Sequence, residues 1–199
     1  MLLPYLKANR KEAGCDEVGR GCLCGPVVAA AVILAPDYAN EWINDSKKII
    51  KSRRESLAEE IKSQALSWAI GSATVAEIDE LNILNASFLA MNRAVDALDV
   101  SPDHLLIDGN RFKSVRDIGF DCVVKGDGKF ASIAAASILA KTYRDELMAR
   151  LSRDYPGYGW ERNVGYPTRE HREGIRKLGP SPLHRKSFRL LPEQLKIDL

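Results

Sequence analysis

Two adjacent acids, Asp16 and Glu17, are followed closely by Gly19-Arg20-Gly21, and this stretch carries the strongest chemical signal in the chain. An acid pair in a strand-forming segment is costly to bury unless it meets a cation, which points to metal binding or catalysis. An arginine between two glycines lets the backbone approach an anion closely. Together they indicate a metal-dependent enzyme acting on a phosphodiester. Two further acids, Asp108 and Asp127, each stand just past a short apolar run and before a glycine. Neighbouring strand ends of an open sheet converge, so acids distant in sequence can line one crevice. Hard cations such as Mg²⁺ or Mn²⁺ take oxygen ligands, and a pair of them needs carboxylates of this kind.

Each acid also has a plainer reading. Asp-Gly is an ordinary turn former, which Asp108 and Asp127 could each be if taken alone. Asp145 reads best as a helix-surface acid paired with Lys141 four residues earlier. Consecutive strand residues point to opposite faces, so Asp16 and Glu17 cannot both aim at one site from a regular strand. Asp16 is the safer ligand. Glu17 needs a local distortion, a route round the sheet edge, or its carbonyl oxygen.

The elements that must position these residues follow from periodicity. The acid pair reads as strand, and the apolar run from Val27 to Leu34 as its buried antiparallel neighbour. Ser52 with Glu55 looks like a capping box opening a helix over about 53–65. A third strand follows from about 65 to 75, with Leu66, Trp68 and Ile70 on a buried face. Apolar residues then recur at three and four from Ile78 through Val95, predicting one long helix over about 75–98. Short strands at 104–109 and 121–124 end beside Asp108 and Asp127. An alanine-rich helix over about 129–151 can pack very close to the sheet, and a short helix over about 168–178 lies in the tail.

The 199 residues suffice for one well-cored domain, and 45% hydrophobic with 28% charged content is ordinary for a globular chain. No apolar run approaches the roughly 20 residues that cross a bilayer, and no signal peptide precedes the acids, so a cytoplasmic protein without membrane contact is expected. Cys15, Cys22, Cys24 and Cys122 form no Cys-x-x-Cys and the three histidines are scattered, which argues for buried reduced thiols and against zinc. Net charge is +2, but from Lys141 onward 13 Lys and Arg face 8 Asp and Glu. An acidic front that could hold cations is thus joined to a basic rear that could hold a polyanion.

With these residues laid out, the chain resembles the ribonuclease HII family. The resemblance rests on 16–21 (Asp-Glu-Val-Gly-Arg-Gly), 25–28, Asp45-Ser46-Lys47-Lys48, Ile107-Asp108-Gly109, Lys125-Gly126-Asp127, 133–141, Arg144-Asp145, Gly165-Tyr166-Pro167-Thr168 and 184–188 (His-Arg-Lys-Ser-Phe). It implies an α/β fold, a ribonuclease H-like mixed sheet flanked by helices, with 1–152 as the catalytic domain and 153–199 as a basic helical extension. It implies an endonuclease that cuts the RNA strand of RNA/DNA hybrids and nicks 5′ of single ribonucleotides in duplex DNA, leaving 3′-hydroxyl and 5′-phosphate ends. By the family pattern Asp16, Glu17, Asp108 and Asp127 bind two Mg²⁺ or Mn²⁺ ions, while Gly19, Arg20, Gly21, Lys47, Lys48 and Tyr166 bind substrate. A monomer is the default. A noncatalytic hybrid-binding module would need the basic tail but not the acids. A junction resolvase would share the acids but not Gly-Arg-Gly and Tyr166.

Overall fold

A computed structural model describes residues 2–38, 40, 42–43 and 49–192. Five strands form one sheet: β1 (Glu12–Val18), β2 (Val27–Ile33), β3 (Ser67–Ala73), β4 (His104–Asp108) and β5 (Phe120–Val123). Their spatial order is β3-β2-β1-β4-β5. β1, β2 and β3 pair antiparallel, while β4 runs parallel to β1 and β5 parallel to β4. The sheet is therefore mixed, as expected. β2 is Val-Val-Ala-Ala-Ala-Val-Ile and wholly buried, because helices cover both faces of the sheet around it.

One face receives α3 (Ile83–Asp96), whose Ala86, Ala90, Met91 and Ala94 pack on Ala13, Cys15, Val27, Ala29 and Ala31. The other receives α4 (Ala131–Asp154) and α1 (Lys51–Gln64), which bury Val28, Ala30 and Val32. Alanines on α4 bring that helix down onto β1. Gly14 completes the fit, since a Cβ there would lie 2.2 Å from the Ser132 carbonyl carbon. A third cluster gathers Leu23, Cys24, Met148, Tyr158, Trp160, Ile175 and Leu190. It joins the C-terminal end of α4 to the tail, which includes α5 (Trp160–Asn163) and α6 (Arg169–Leu178).

Three expectations need correction. The Ser52–Glu55 pattern is not a cap: α1 begins at Lys51 after Ile50, and no side chain caps it. The same pattern at Thr74–Glu77 forms the complete capping box, opening α2 (Val75–Leu81). The expected long helix is two, broken where Asn82 turns to φ 66° and its carboxamide oxygen accepts from the N–H groups of Leu84 and Asn85. The apolar period runs straight through this break, so periodicity alone does not reveal it. On β3 the fully buried residues are Ser67, Ala69 and Ala73, with Gly71 between them, while Trp68 and Ile70 are half-buried and Leu66 is exposed. Small residues are needed there because α3 lies close against that face.

Candidate active site

The sequence's acid pair sits at the end of β1. Pairing of β1 with β4 runs to Cys15 opposite Ile107, so Asp16 and Asp108 are the next residues along two adjacent parallel strands and project to the same face. That is the α4 face, as the Ala30 partner of Asp16 shows. Ser137 of α4 donates to the Asp16 carboxylate, and the Glu17 main-chain N–H donates to its Oδ1 at 2.7 Å. Glu17 pairs with Ala29 of the α3 face, so alternation holds at its backbone, yet its carboxylate still feels Asp108. Its Oε1 receives Arg20 Nη1 at 3.1 Å.

Asp127 lies in a 3-10 turn over Gly126–Gly128, between β5 and α4, and is buried. This turn is bound to the site through its backbone: the Gly126 N–H donates to Oδ1 of Asp108 at 2.7 Å. The fourth acid is thereby fixed one residue from the group that holds Asp108.

Burial pushes the Asp16 carboxyl well above its usual range, and the neighbouring charges of Glu17 and Asp108 push it further. Burial raises Glu17 as well; Arg20 opposes this and Asp108 adds to it. Oε2 of Glu17 is buried without a hydrogen-bond partner. Three acids that repel one another, one presenting an orphaned oxygen, form an oxygen-rich set suited to a hard divalent cation.

A different trio has the tightest donor spacing. Among the described residues, Cys24, His171 and His184 are the group whose ligand atoms lie within 4.8 Å of one another. Their hydrogen bonds argue against a metal there. Trp160 Nε1–H occupies the His171 Nε2 lone pair at 2.9 Å. The Ser181 N–H donates to His184 Nδ1, which places the His184 proton on Nε2. Burial also raises the Cys24 thiol to about 12. His171 and His184 are thus hydrogen-bonded within the core on both ring nitrogens.

Gly19-Arg20-Gly21 leaves the end of β1 as a loop with Gly19 buried and Arg20 and Gly21 exposed. Gly19 has φ 95°, and a Cβ there would lie 2.3 Å from Nε of Arg144. Two arginines with no exposure hold this region. Arg185 donates to the carbonyls of Gly19, Arg20 and Gly25. Arg144 donates to Cys24, Pro26 and Val164. Tyr166 stands on the turn before α6, which is tied to the same loop by the Leu23 N–H donating to the Gly165 carbonyl at 2.8 Å. The structure thus ties the turn carrying Tyr166 to the loop that follows Gly19–Gly21. Lys47 and Lys48 lie outside the described residues.

Three features were not foreseen. Ser137 fixes Asp16 from inside the 133–141 motif, where the sequence argument assigns the serine no role. Asp145 does pair with Lys141 (2.6 Å), but it also accepts from Arg54 of α1 (2.7 Å) and is largely buried, so it is not a helix-surface acid. Lys141 Nζ in turn lies 5.9 Å from the Tyr166 ring centroid. Arg144 and Arg185 were counted in the basic rear, yet both are spent on backbone carbonyls, so the charge offered outward is smaller than the count implies.

Comparison with known proteins agrees with this geometry. The family model described as Ribonuclease HII matches residues 13–191. Ribonuclease HII of Bacteroides thetaiotaomicron is 60% identical over 199 residues, with all of both chains covered. That of Phocaeicola vulgatus is 58% identical over 199 residues, covering 100% of this chain and 99% of the relative. Among solved structures, ribonuclease H2 of Pyrococcus horikoshii superposes with a TM-score of 0.75 at 24% identity, covering 90% of this chain and 94% of that one, which supports the fold. Family model and full-length identity together establish that the chain belongs to the ribonuclease HII family.

Proposed function

We propose that the chain performs the family reaction, hydrolysing RNA in RNA/DNA hybrids and at ribonucleotides embedded in duplex DNA, with Asp16, Glu17, Asp108 and Asp127 as the metal-holding set. The observation that carries this assignment is the convergence of Asp16, Glu17 and Asp108, with Glu17 Oε2 buried and unpartnered. Mg²⁺ or Mn²⁺, two per site in turnover, would supply the acidified water and the charge that stabilises the leaving 3′-oxygen.

The chain's own residues do the placing. Ser137 and the Glu17 N–H hold Asp16 in one rotamer, and the Gly126 N–H holds Asp108. Pre-set ligands need no reorganisation when substrate arrives. Arg20 is half-exposed at its side chain and can exchange Glu17 for a phosphate. Gly19 and Gly21 allow the strand backbone to come close, and Tyr166 reads the sugar beside the ribonucleotide, where the 2′-hydroxyl marks RNA. Lys47 and Lys48 add phosphate contacts. No protein nucleophile is needed, so the products carry 3′-hydroxyl and 5′-phosphate ends.

In this reading residues 1–152 are the catalytic domain and 153–199 a basic extension packed on it, and the protein acts as a monomer. Four unbridged cysteines support a reducing, cytoplasmic setting, and among the described residues no helix is long and apolar enough to cross a membrane. The test is a labelled DNA duplex with one ribonucleotide, incubated with Mg²⁺ or Mn²⁺ and with chelator. A metal-dependent nick on the 5′ side is expected, and its absence would sink the assignment.

A further inference from the structure

The turn that carries Tyr166 adopts a backbone that needs external support. Val164 is β-branched yet sits at φ 43°, ψ 33°, the left-handed region that such residues avoid. Its carbonyl is gripped by Arg144 Nη1 at 2.8 Å, and the next N–H, of Gly165, is taken by Asn163 Oδ1 at 2.9 Å. The carbonyl of Tyr166 itself accepts from the Thr168 N–H and from His171 Nδ1, the latter at 2.9 Å.

His171 is fully buried, and its state is dictated by its neighbours. The Ser181 N–H donates to His184 Nδ1, so a neutral His184 carries its proton on Nε2, which lies 3.1 Å from His171 Nε2. Trp160 Nε1–H points at the same His171 atom from 2.9 Å. Two donors converge on Nε2, so the His171 proton must sit on Nδ1, facing Tyr166. Burial depresses both histidines, His184 to about 4, so both are neutral at physiological pH.

We propose that His171 is a positioning residue for ribonucleotide recognition: held in one tautomer by Trp160 and His184, it fixes the Tyr166 turn against the Gly19–Gly21 loop. This rests on the reading of Tyr166 as a substrate contact. The bond pattern separates two roles of one ring, since Nδ1 serves the Tyr166 turn while Nε2 serves the core.

Two substitutions divide those roles. His171→Gln places a carbonyl where Nε2 stands, keeping the acceptor for Trp160 and His184 but losing the donor to Tyr166. His171→Asn places an amide where Nδ1 stands, keeping that donor but leaving Trp160 and His184 unpaired. Melting temperatures are measured, then kcat and KM on a duplex with one ribonucleotide, assayed below every melting point. The Gln variant is expected to melt close to the parent yet show a KM raised about tenfold with kcat little changed, whereas the Asn variant melts lower with a near-parental KM. A merely structural role would make both losses track the melting temperature. A parental KM in the Gln variant, or an Asn variant as impaired as the Gln one, overturns the proposal. Tyr166→Ala is run alongside. If it leaves KM unchanged, the Tyr166 reading falls; if it raises KM while His171→Gln does not, only the His171 role falls.

Discussion

Arg185 Nη2 donates to the carbonyl of Gly19 at 2.7 Å, across 166 residues of sequence. The same guanidinium serves Arg20 and Gly25, and burial lowers its pKa to about 10 without discharging it at neutral pH. Carbonyl dipoles, not a carboxylate, make up its hydrogen-bond shell. Arg185→Met keeps much of the volume but removes the side-chain donor from the carbonyls of Arg20 and Gly25 and leaves Gly19 with the Cys22 N–H at 3.3 Å. A loss on the order of 3 kcal/mol in urea unfolding is expected, together with loss of cleavage. An Arg185→Met protein with parental stability would show that the clamp carries no energy.

The acid cluster should behave oppositely in stability and in activity. Asp16→Asn and Asp108→Asn each remove one of three repelling charges, so the metal-free protein should gain about 1 kcal/mol while cleavage falls roughly a thousandfold or more and duplex binding persists. Added Mg²⁺ or Mn²⁺ should raise the melting temperature of the parent and lose that effect in Asp16→Asn. Calorimetry with and without metal decides it. Variants that unfold more readily than the parent in chelator would contradict the repulsion argument.

Close approach of β1 and α4 makes Gly14 intolerant of any side chain. A Cβ would fall 2.2 Å from main-chain carbon of Ser132 and 2.3 Å from the Ile133 nitrogen, and neither atom can rotate away. Gly14→Ala should cost about 3 kcal/mol or prevent folding, since overpacking against backbone forces the helix off the sheet. Soluble expression and thermal melts are sufficient readouts, and a variant that melts with the parent would mean that α4 can move.

Protonation of the buried histidines sets an acid limit. His184 is depressed by burial first and by His171 second, from 6.5 to about 4. The unfolded chain therefore binds this proton more readily, so the stability is fully present above about pH 6.5 and is lost as pH falls toward 4. Asp16 and Glu17, with raised values, slope the other way. Comparison with His184→Gln isolates the histidine: its stability should fall less steeply across pH 4.5–6.5, by up to about 1.4 kcal/mol per pH unit. Parallel pH profiles would rule this out.

Legibility differed by kind of residue. The acids could be read because several of them recur at or just past strand ends within one chain, a set that turn formation explains for each Asp-Gly alone but not for all together, whereas the pairing that sets Asp16 beside Asp108 needed the structure. The break at Asn82 was hidden because the apolar period continues across it, and the true capping box at Thr74 competed with an identical pattern at Ser52. Hidden more deeply were Arg144, Arg185, His171 and His184. In sequence they belong to a basic rear and scattered histidines, and only the fold, which brings α4 and the tail onto the loop at 19–25, buries them among hydrogen-bond partners.

The Arg185 clamp also imposes an order in time. A growing chain completes the sheet, the three helices that flank it and all four acids before residue 185 is made. The loop beside those acids gains the Arg185 side-chain donors to Gly19, Arg20 and Gly25 only when that residue arrives. A chain made only as far as α6 therefore holds Asp16, Glu17, Asp108 and Asp127 without the clamp on the loop at 19–25, and under the proposed reading it lacks the loop shape that Gly19, Arg20 and Gly21 need to meet substrate.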